Sequence, residues 1–158
     1  FVEVARELPQ YQFFWFGQTI DWSSMFGDRT DDVVYNSPDN VRFTGYVEDI
    51  SAAFSSGDLF FFPSKEENEG IVLLEAAARG LPIVTRDLPA YRGWLEDGKN
   101  CLKGNGKDEF TDLIKKAMED EELRQNLSNR AKKTANEHRL ENIGQKYIDI
   151  YEEFLANK

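Results

Sequence analysis

The sequence is poor in the residues from which several kinds of site are built. It has a single cysteine, Cys101, which rules out an internal disulfide and any Cys-x-x-Cys metal motif and suits the reducing cytoplasm. In the stretch NCLKG that residue reads as a small apolar filler. Neither G-x-G-x-x-G nor G-x-x-x-x-G-K-[ST] occurs, so the common dehydrogenase and P-loop signatures are missing. Long apolar runs are missing too. DLFFFP and GIVLLEAAARGLPIV are too short or too interrupted to cross a bilayer, and no signal peptide opens the chain. Positive charge is also scarce: 19 Lys and Arg face 29 Asp and Glu, a net charge of −10. Residues 1–106 hold 17 acids against 9 bases and so carry −8 of it. Nucleic acid and anionic membrane surfaces demand clustered Lys and Arg, so neither is an expected partner, and an anionic ligand would need local compensation. No internal repeat or low-complexity tract is present.

What is there describes a folded domain. A chain of 158 residues, 41% apolar and 13% aromatic, can bury a substantial core. It opens on FVEVARELP, an amphipathic helix ending at a proline with no leading Met, so a fragment of a longer chain is expected. Apolar bursts of strand length recur at residues 12–17, 41–45, 58–63, 82–87 and 100–104, each beside Gly, Pro or Asp. Helical candidates cover 1–8, 48–56, 70–79 and 90–96. Residues 21–40 are polar and turn-rich and read as a long excursion with one helical turn. From Lys107 to Lys158 the pattern is purely helical, with Ile143, Tyr147, Ile150, Tyr151 and Phe154 at helical spacing. Alternating strands and helices predict an α/β fold, a Rossmann-like doubly wound parallel sheet followed by a C-terminal run of helices. The run LFFFP is expected to be buried on both faces.

The stretch from Ser64 to Pro82, SKEENEGIVLLEAAARGLP, carries the chemistry. A helix beginning near Gly70 or Ile71 is apolar except for Glu75, and Glu67 lies eight residues earlier. In an open parallel sheet, ligands sit at the carboxyl ends of the strands, where the loop after LFFFP falls. The first N–H groups of the following helix point into that crevice and favour an anion, while Gly70 allows backbone to approach closely. A carboxylate among apolar neighbours needs a partner. Structural partners exist in an i,i+4 pair of Glu75 with Arg79 and in a capping box of Ser64 with Glu67. The functional alternative is that Glu75 accepts hydrogen bonds from a vicinal diol such as a ribose, while Glu67 and neighbouring backbone engage a sugar.

The run PSKEENEGIVLLEAAARGLPIV resembles the nucleotide-sugar site of family-4 glycosyltransferases of the GT-B fold. Their motif has two glutamates separated by seven residues, a glycine between them, an LEA segment, and a closing glycine before an apolar strand. Glu67, Gly70, Glu75, Ala76, Gly80 and Pro82 fall into place. NVRFTGYVEDISAAFSSGDLFFFPS is similar to the preceding segment of the family, which meets the nucleobase. The resemblance implies that Gly45, Tyr46 and Val47 bind the donor, with Asp49 a weaker candidate. It implies that Glu75 binds the donor ribose and that Glu67 acts on the transferred sugar as the catalytic candidate. Backbone at Asn68, Glu69, Gly70, Ile71 and Val72 would hold the sugar and diphosphate. The implied reaction is transfer from a nucleotide-diphospho-sugar with retained anomeric configuration, without a metal or other cofactor.

This chain departs from many members in having Asn68-Glu69 before Gly70, and DLPAYRGWLEDG where they have a Gly-Gly loop. In both features it is similar to bacterial diacylglycerol glucosyltransferases, implying UDP-glucose as donor and a membrane lipid as acceptor. It also implies that an N-terminal acceptor domain and a first strand with an Arg/Lys phosphate grip lie outside the chain, and that the fragment alone is inactive. The full enzyme would be cytoplasmic, at the inner face of the membrane, its last helix running back toward the missing domain. Two other readings stay open: a GT-B nucleotide-sugar epimerase, and a nucleotide-binding module without catalysis. His138, the three tryptophans and the Lys115-Lys116 and Lys132-Lys133 pairs read as surface, capping or packing residues.

Overall fold

A computed structural model describes residues 1–17 and 33–156. The expectations for Trp22 and for most of the 21–40 excursion lie outside the described residues. Helix α1 (Val2–Glu7) leads into strand β1 (Phe13–Phe16), followed by β2 (Val41–Gly45), helix α2 (Ile50–Ser55) and β3 (Phe60–Phe62). Helix α3 (Ile71–Ala78), β4 (Ile83–Arg86), a 3₁₀ turn (Pro89–Tyr91) and β5 (Leu102–Gly104) come next. Three helices close the chain: α4 (Lys107–Glu119), α5 (Glu121–Glu137) and α6 (Leu140–Ala156).

Every named strand pair is parallel. Among the described residues β1 pairs with β2, and β3, β4 and β5 form a second ladder in that order. Phe60 lies opposite Ile83 and Val84 opposite Leu102. One core of buried side chains underlies both ladders, joining Val4, Ala5 and Leu8 of the first helical segment to Phe13, Val41, Val84 and Leu102 and to Phe110 and Ile114 of α4. Phe1 links the ladders: its ring meets Phe13 edge-on at 5.7 Å and stacks on Phe61 at 6.0 Å. Asn40 joins helix to strand: its buried amide lies 2.9 Å from the carbonyls of Ala5, Leu8 and Tyr11.

Two expectations change. The three phenylalanines of β3 are half-buried rather than enclosed on both faces, because β3 has a ladder partner on one side only among the described residues. The helix expected over 90–96 is a 3₁₀ turn at Pro89–Tyr91. Pro89 opens that turn, and the following Arg92 is already extended, with φ −63° and ψ 135°.

Helix α3 has sharp ends. Gly70 precedes it with φ +72°, a left-handed conformation that costs an L-residue about 1–2 kcal/mol. At the other end Gly80, φ +76°, follows the cap at Arg79. Its N–H donates to Ala77 O at 2.9 Å and the next N–H, of Leu81, donates to Ala76 O at 3.1 Å, the Schellman pairing that satisfies the last carbonyls of a helix. A Cβ on Gly80 would also lie 2.0 Å from Lys132 Cε of α5, the far end of a flexible side chain that can move aside, so it is the positive φ that calls for glycine here.

Candidate functional site

The candidate residues sit at the carboxyl ends of parallel strands, where the topology of an open sheet places its ligands. After β3 the chain turns through residues 63–70 before entering α3. The start of this loop is pinned from β4: Arg86 Nε donates to Ser64 O at 3.0 Å, and its guanidinium lies 5.3 Å from the centre of the Phe110 ring. Arg86 is not among the residues that sequence singles out; an arginine closing the strand IVTR is the one signal that marks it. Ser64 Oγ donates back to Glu66 O at 2.9 Å. The capping-box reading of Ser64 and Glu67 therefore fails, since the N-cap of α3 is Gly70, three residues after Glu67, and the helix itself begins at Ile71.

Within the loop Glu67 is half-buried, Asn68 and Glu69 are exposed, and Gly70 is buried. The N–H of Leu73 donates to Gly70 O at 2.8 Å. With the Leu73 N–H so engaged, the N–H groups of Ile71 and Val72 at the start of the helix are the ones without an intrahelical acceptor, and together with the helix dipole they favour an anion. Ile71 is 59% exposed and Val72 half-buried.

Glu75 is exposed rather than enclosed among apolar neighbours. Leu73, Ala76 and Ala77 face the core, against Ile83, Leu88, Tyr91 and Ala131 on one side and Phe54 and Leu81 on the other. Ile71, Glu75, Ala78 and Arg79 form the exposed stripe. Side-chain hydropathy alone shows no amphipathic pattern, because alanine occupies both faces and Ile71 lies on the exposed one. Glu75 is thus a solvent-exposed carboxylate and requires no buried partner. The pair with Arg79 is not formed either. Arg79 instead donates from Nη2 to Ser51 Oγ and lies over the Phe54 ring, 5.7 Å from its centre. Among the described residues no ion pair involves Glu75.

The second group of candidates lies at the carboxyl end of β2. Gly45 ends that strand, Tyr46 is 75% exposed and Val47 half-buried. A Cβ on Gly45 would meet open space. Asp49, the weaker candidate, is engaged within the fold, because its Oδ1 accepts the Ala52 N–H at 2.9 Å and caps α2. His138 caps α5, with Nδ1 2.8 Å from Thr134 O and its ring 5.8 Å from that of Trp94.

Tyr91, in the 3₁₀ turn after β4, is a second residue that sequence does not single out. Its side chain is fully buried, and its ring edge occupies the place a side chain at position 70 would need, with Cε1 2.7 Å from a Cβ built on Gly70. The glycine is therefore demanded by its backbone angle and by this ring, and not only by a ligand. Burial pushes the Tyr91 phenol up, the Thr85 hydroxyl partly offsets this, and the negative charge of Glu67 raises it further.

Residues 34–134 match the family described as Glycosyl transferases group 1. The chain is 36% identical over 160 residues to a processive diacylglycerol alpha-glucosyltransferase of Acholeplasma laidlawii, covering 100% of this chain and 47% of that protein. It is 32% identical over 164 residues to an alpha-galactosylglucosyldiacylglycerol synthase of Streptococcus pneumoniae, covering 99% of this chain and 42% of that one. The chain thus spans less than half the length of these relatives. Its fold matches that of Anabaena HepE, solved in complex with UDP and glucose, with a TM-score of 0.81 at 20% identity, over 95% of this chain and 42% of that one.

Proposed function

The chain belongs to the group 1 glycosyltransferases, and on that premise we propose that it is the donor-binding part of a retaining hexosyltransferase that uses a UDP-hexose, with UDP-glucose the first choice. One observation carries the reading: Glu67 and Glu75 flank the N-terminal turn of α3 at the carboxyl edge of the β3–β4–β5 ladder, and neither forms an ion pair among the described residues. An acceptor carboxylate on each side of a row of N–H donors suits a ligand with hydroxyls at both ends and a diphosphate between them. Glu75 takes the ribose hydroxyls and Glu67 the hydroxyls of the sugar. The backbone from Asn68 to Val72 meets the diphosphate and sugar, and Gly45, Tyr46 and Val47 meet the base.

Catalysis in this reading is electrostatic. Negative charge that grows on the departing diphosphate is met by N–H dipoles already in place, so no metal or further cofactor is needed. Diacylglycerol or a glycolipid is the proposed acceptor, supported by the two lipid-glycosylating relatives. It would be reached at the cytoplasmic face of a membrane, with the acceptor-binding domain supplied outside these residues. Among the described residues no helix is long and apolar enough to cross a membrane, which fits a peripheral placement.

Titrating the chain with UDP-glucose while following its amide NMR spectrum tests the proposal. Glu75→Gln should weaken binding about tenfold or more, the scale of a hydrogen bond to a charged group. Its unfolding free energy should change by no more than about 0.5 kcal/mol, as for an exposed surface position. Unchanged affinity in the variant would remove Glu75 from the site.

A further inference from the structure

The Tyr91 hydroxyl has no hydrogen-bond partner among the described residues, although the side chain is fully buried. Phenylalanine would fill the same space without leaving an unsatisfied polar atom, so the oxygen calls for an explanation. Its surroundings are otherwise apolar: Leu73, Ile83, Leu88, Leu95 and Cys101 share its core, and Trp94 meets its ring edge-on at 5.8 Å. The neighbouring Thr85 donates its hydroxyl proton to Phe62 O at 2.9 Å, so toward the phenol it offers only an acceptor lone pair, and no hydrogen bond joins the two hydroxyls. The ring lies beyond the carboxyl end of β4, its edge against Gly70, the residue that closes the loop carrying Glu67.

Resting on the donor-site reading above, we propose that Tyr91 is a positioning residue for that loop: its hydroxyl donates a hydrogen bond to the Glu67 carboxylate when the sugar of the donor is bound. The chemistry is complementary, since a neutral phenol offers one proton and a carboxylate only accepts. Glu67 lies three residues before the Gly70 against which the ring packs, and its negative charge acts on the phenol. A bond formed only in the bound state also supplies the differential interaction that any ligand-driven shift of the loop requires. Tyr91 touches no substrate in this arrangement and acts through Glu67. The same logic accounts for the DLPAYRGW sequence of the β4 loop, whose 3₁₀ turn at Pro89–Tyr91 delivers this side chain.

The test compares the affinities of UDP and UDP-glucose, by NMR titration, for the wild-type chain, Tyr91→Phe, Glu67→Gln and the double variant. Tyr91→Phe should leave UDP affinity within about twofold and weaken UDP-glucose by about tenfold, the scale of one hydrogen bond to a charged group. Glu67→Gln should lose a similar factor, and the double variant little more than either, the mark of coupled residues. Tyr91→Phe should be as resistant to urea as the wild type or more so. Equal losses for UDP and UDP-glucose, full retention of UDP-glucose affinity, or additive losses would each overturn the positioning role. A wild-type chain that binds neither ligand would overturn the donor-site reading itself, and this inference with it.

Discussion

Burial pushes the Cys101 thiol from its ordinary 9.0 up to about 12, with Lys103 partly offsetting the effect and Asp97, Asp87 and Glu96 adding to it. A thiolate in that apolar pocket would be poorly solvated, so the residue is a packing group and not a nucleophile, as the NCLKG context suggested. The consequence for stability has a definite sign. The folded chain holds this proton more tightly than the unfolded chain, so the stabilisation is complete below pH 9 and is lost as pH rises toward 12. Tyr91 acts in the same direction from about pH 10 upward, its phenol being raised above an ordinary 10.0. Urea unfolding across this range should show stability falling with pH, and Cys101→Ala should flatten the fall between pH 9 and 12. A variant whose curve runs parallel to the wild type would show that the thiol does not contribute. At Glu75 the residue itself is conspicuous in sequence, but the reason for its prominence is not burial: the carboxylate is exposed, so its partner need not be protein.

At the scale of elements, the strands and α-helices named above among the described residues, including α1 and α2 of six residues each, lie where apolar bursts and helical spacing place them. Ends are legible where chemistry marks them. Gly70 and Gly80 bracket α3, and Asp120 caps α5 by accepting the Leu123 N–H at 2.9 Å. Asp49 shows how one carboxylate supports two readings until its contacts are known. Because Oδ1 accepts the Ala52 N–H, Asp49→Ala should cost about 1 kcal/mol of unfolding free energy, as for other N-cap truncations, while UDP-glucose affinity stays within about twofold. A large loss of affinity with unchanged stability would return Asp49 to the donor site. The segment around the 3₁₀ turn at Pro89–Tyr91 reads as a longer helix because its apolar residues recur at helical intervals. Those side chains are apolar for a tertiary reason, since Leu88, Tyr91 and Leu95 pack beneath α3.

Across the whole molecule, the burial is concentrated before residue 139. Helix α6 buries no residue fully, and Tyr147, Ile150 and Tyr151 are 60% or more exposed. Removing residues 140–158 should therefore leave a cooperative transition with a urea midpoint close to that of the intact chain; collapse of the transition would show that α6 belongs to the core. Sequence alone determined the alternation of strands and helices, the parallel pairing, the glycine-marked ends of α3 and the spacing of Glu67 and Glu75, because these follow from local periodicity and backbone chemistry. It also carried the family resemblance, through a motif contiguous in the chain. Only the tertiary structure decided which face of α3 is buried, that Arg79 turns to Ser51 and Phe54 rather than Glu75, and that Arg86 and Tyr91 support the loop between β3 and α3. Those outcomes depend on which side chains meet across elements distant in sequence, and a helix of alanine, leucine and isoleucine does not record in its own pattern which side its neighbours will cover.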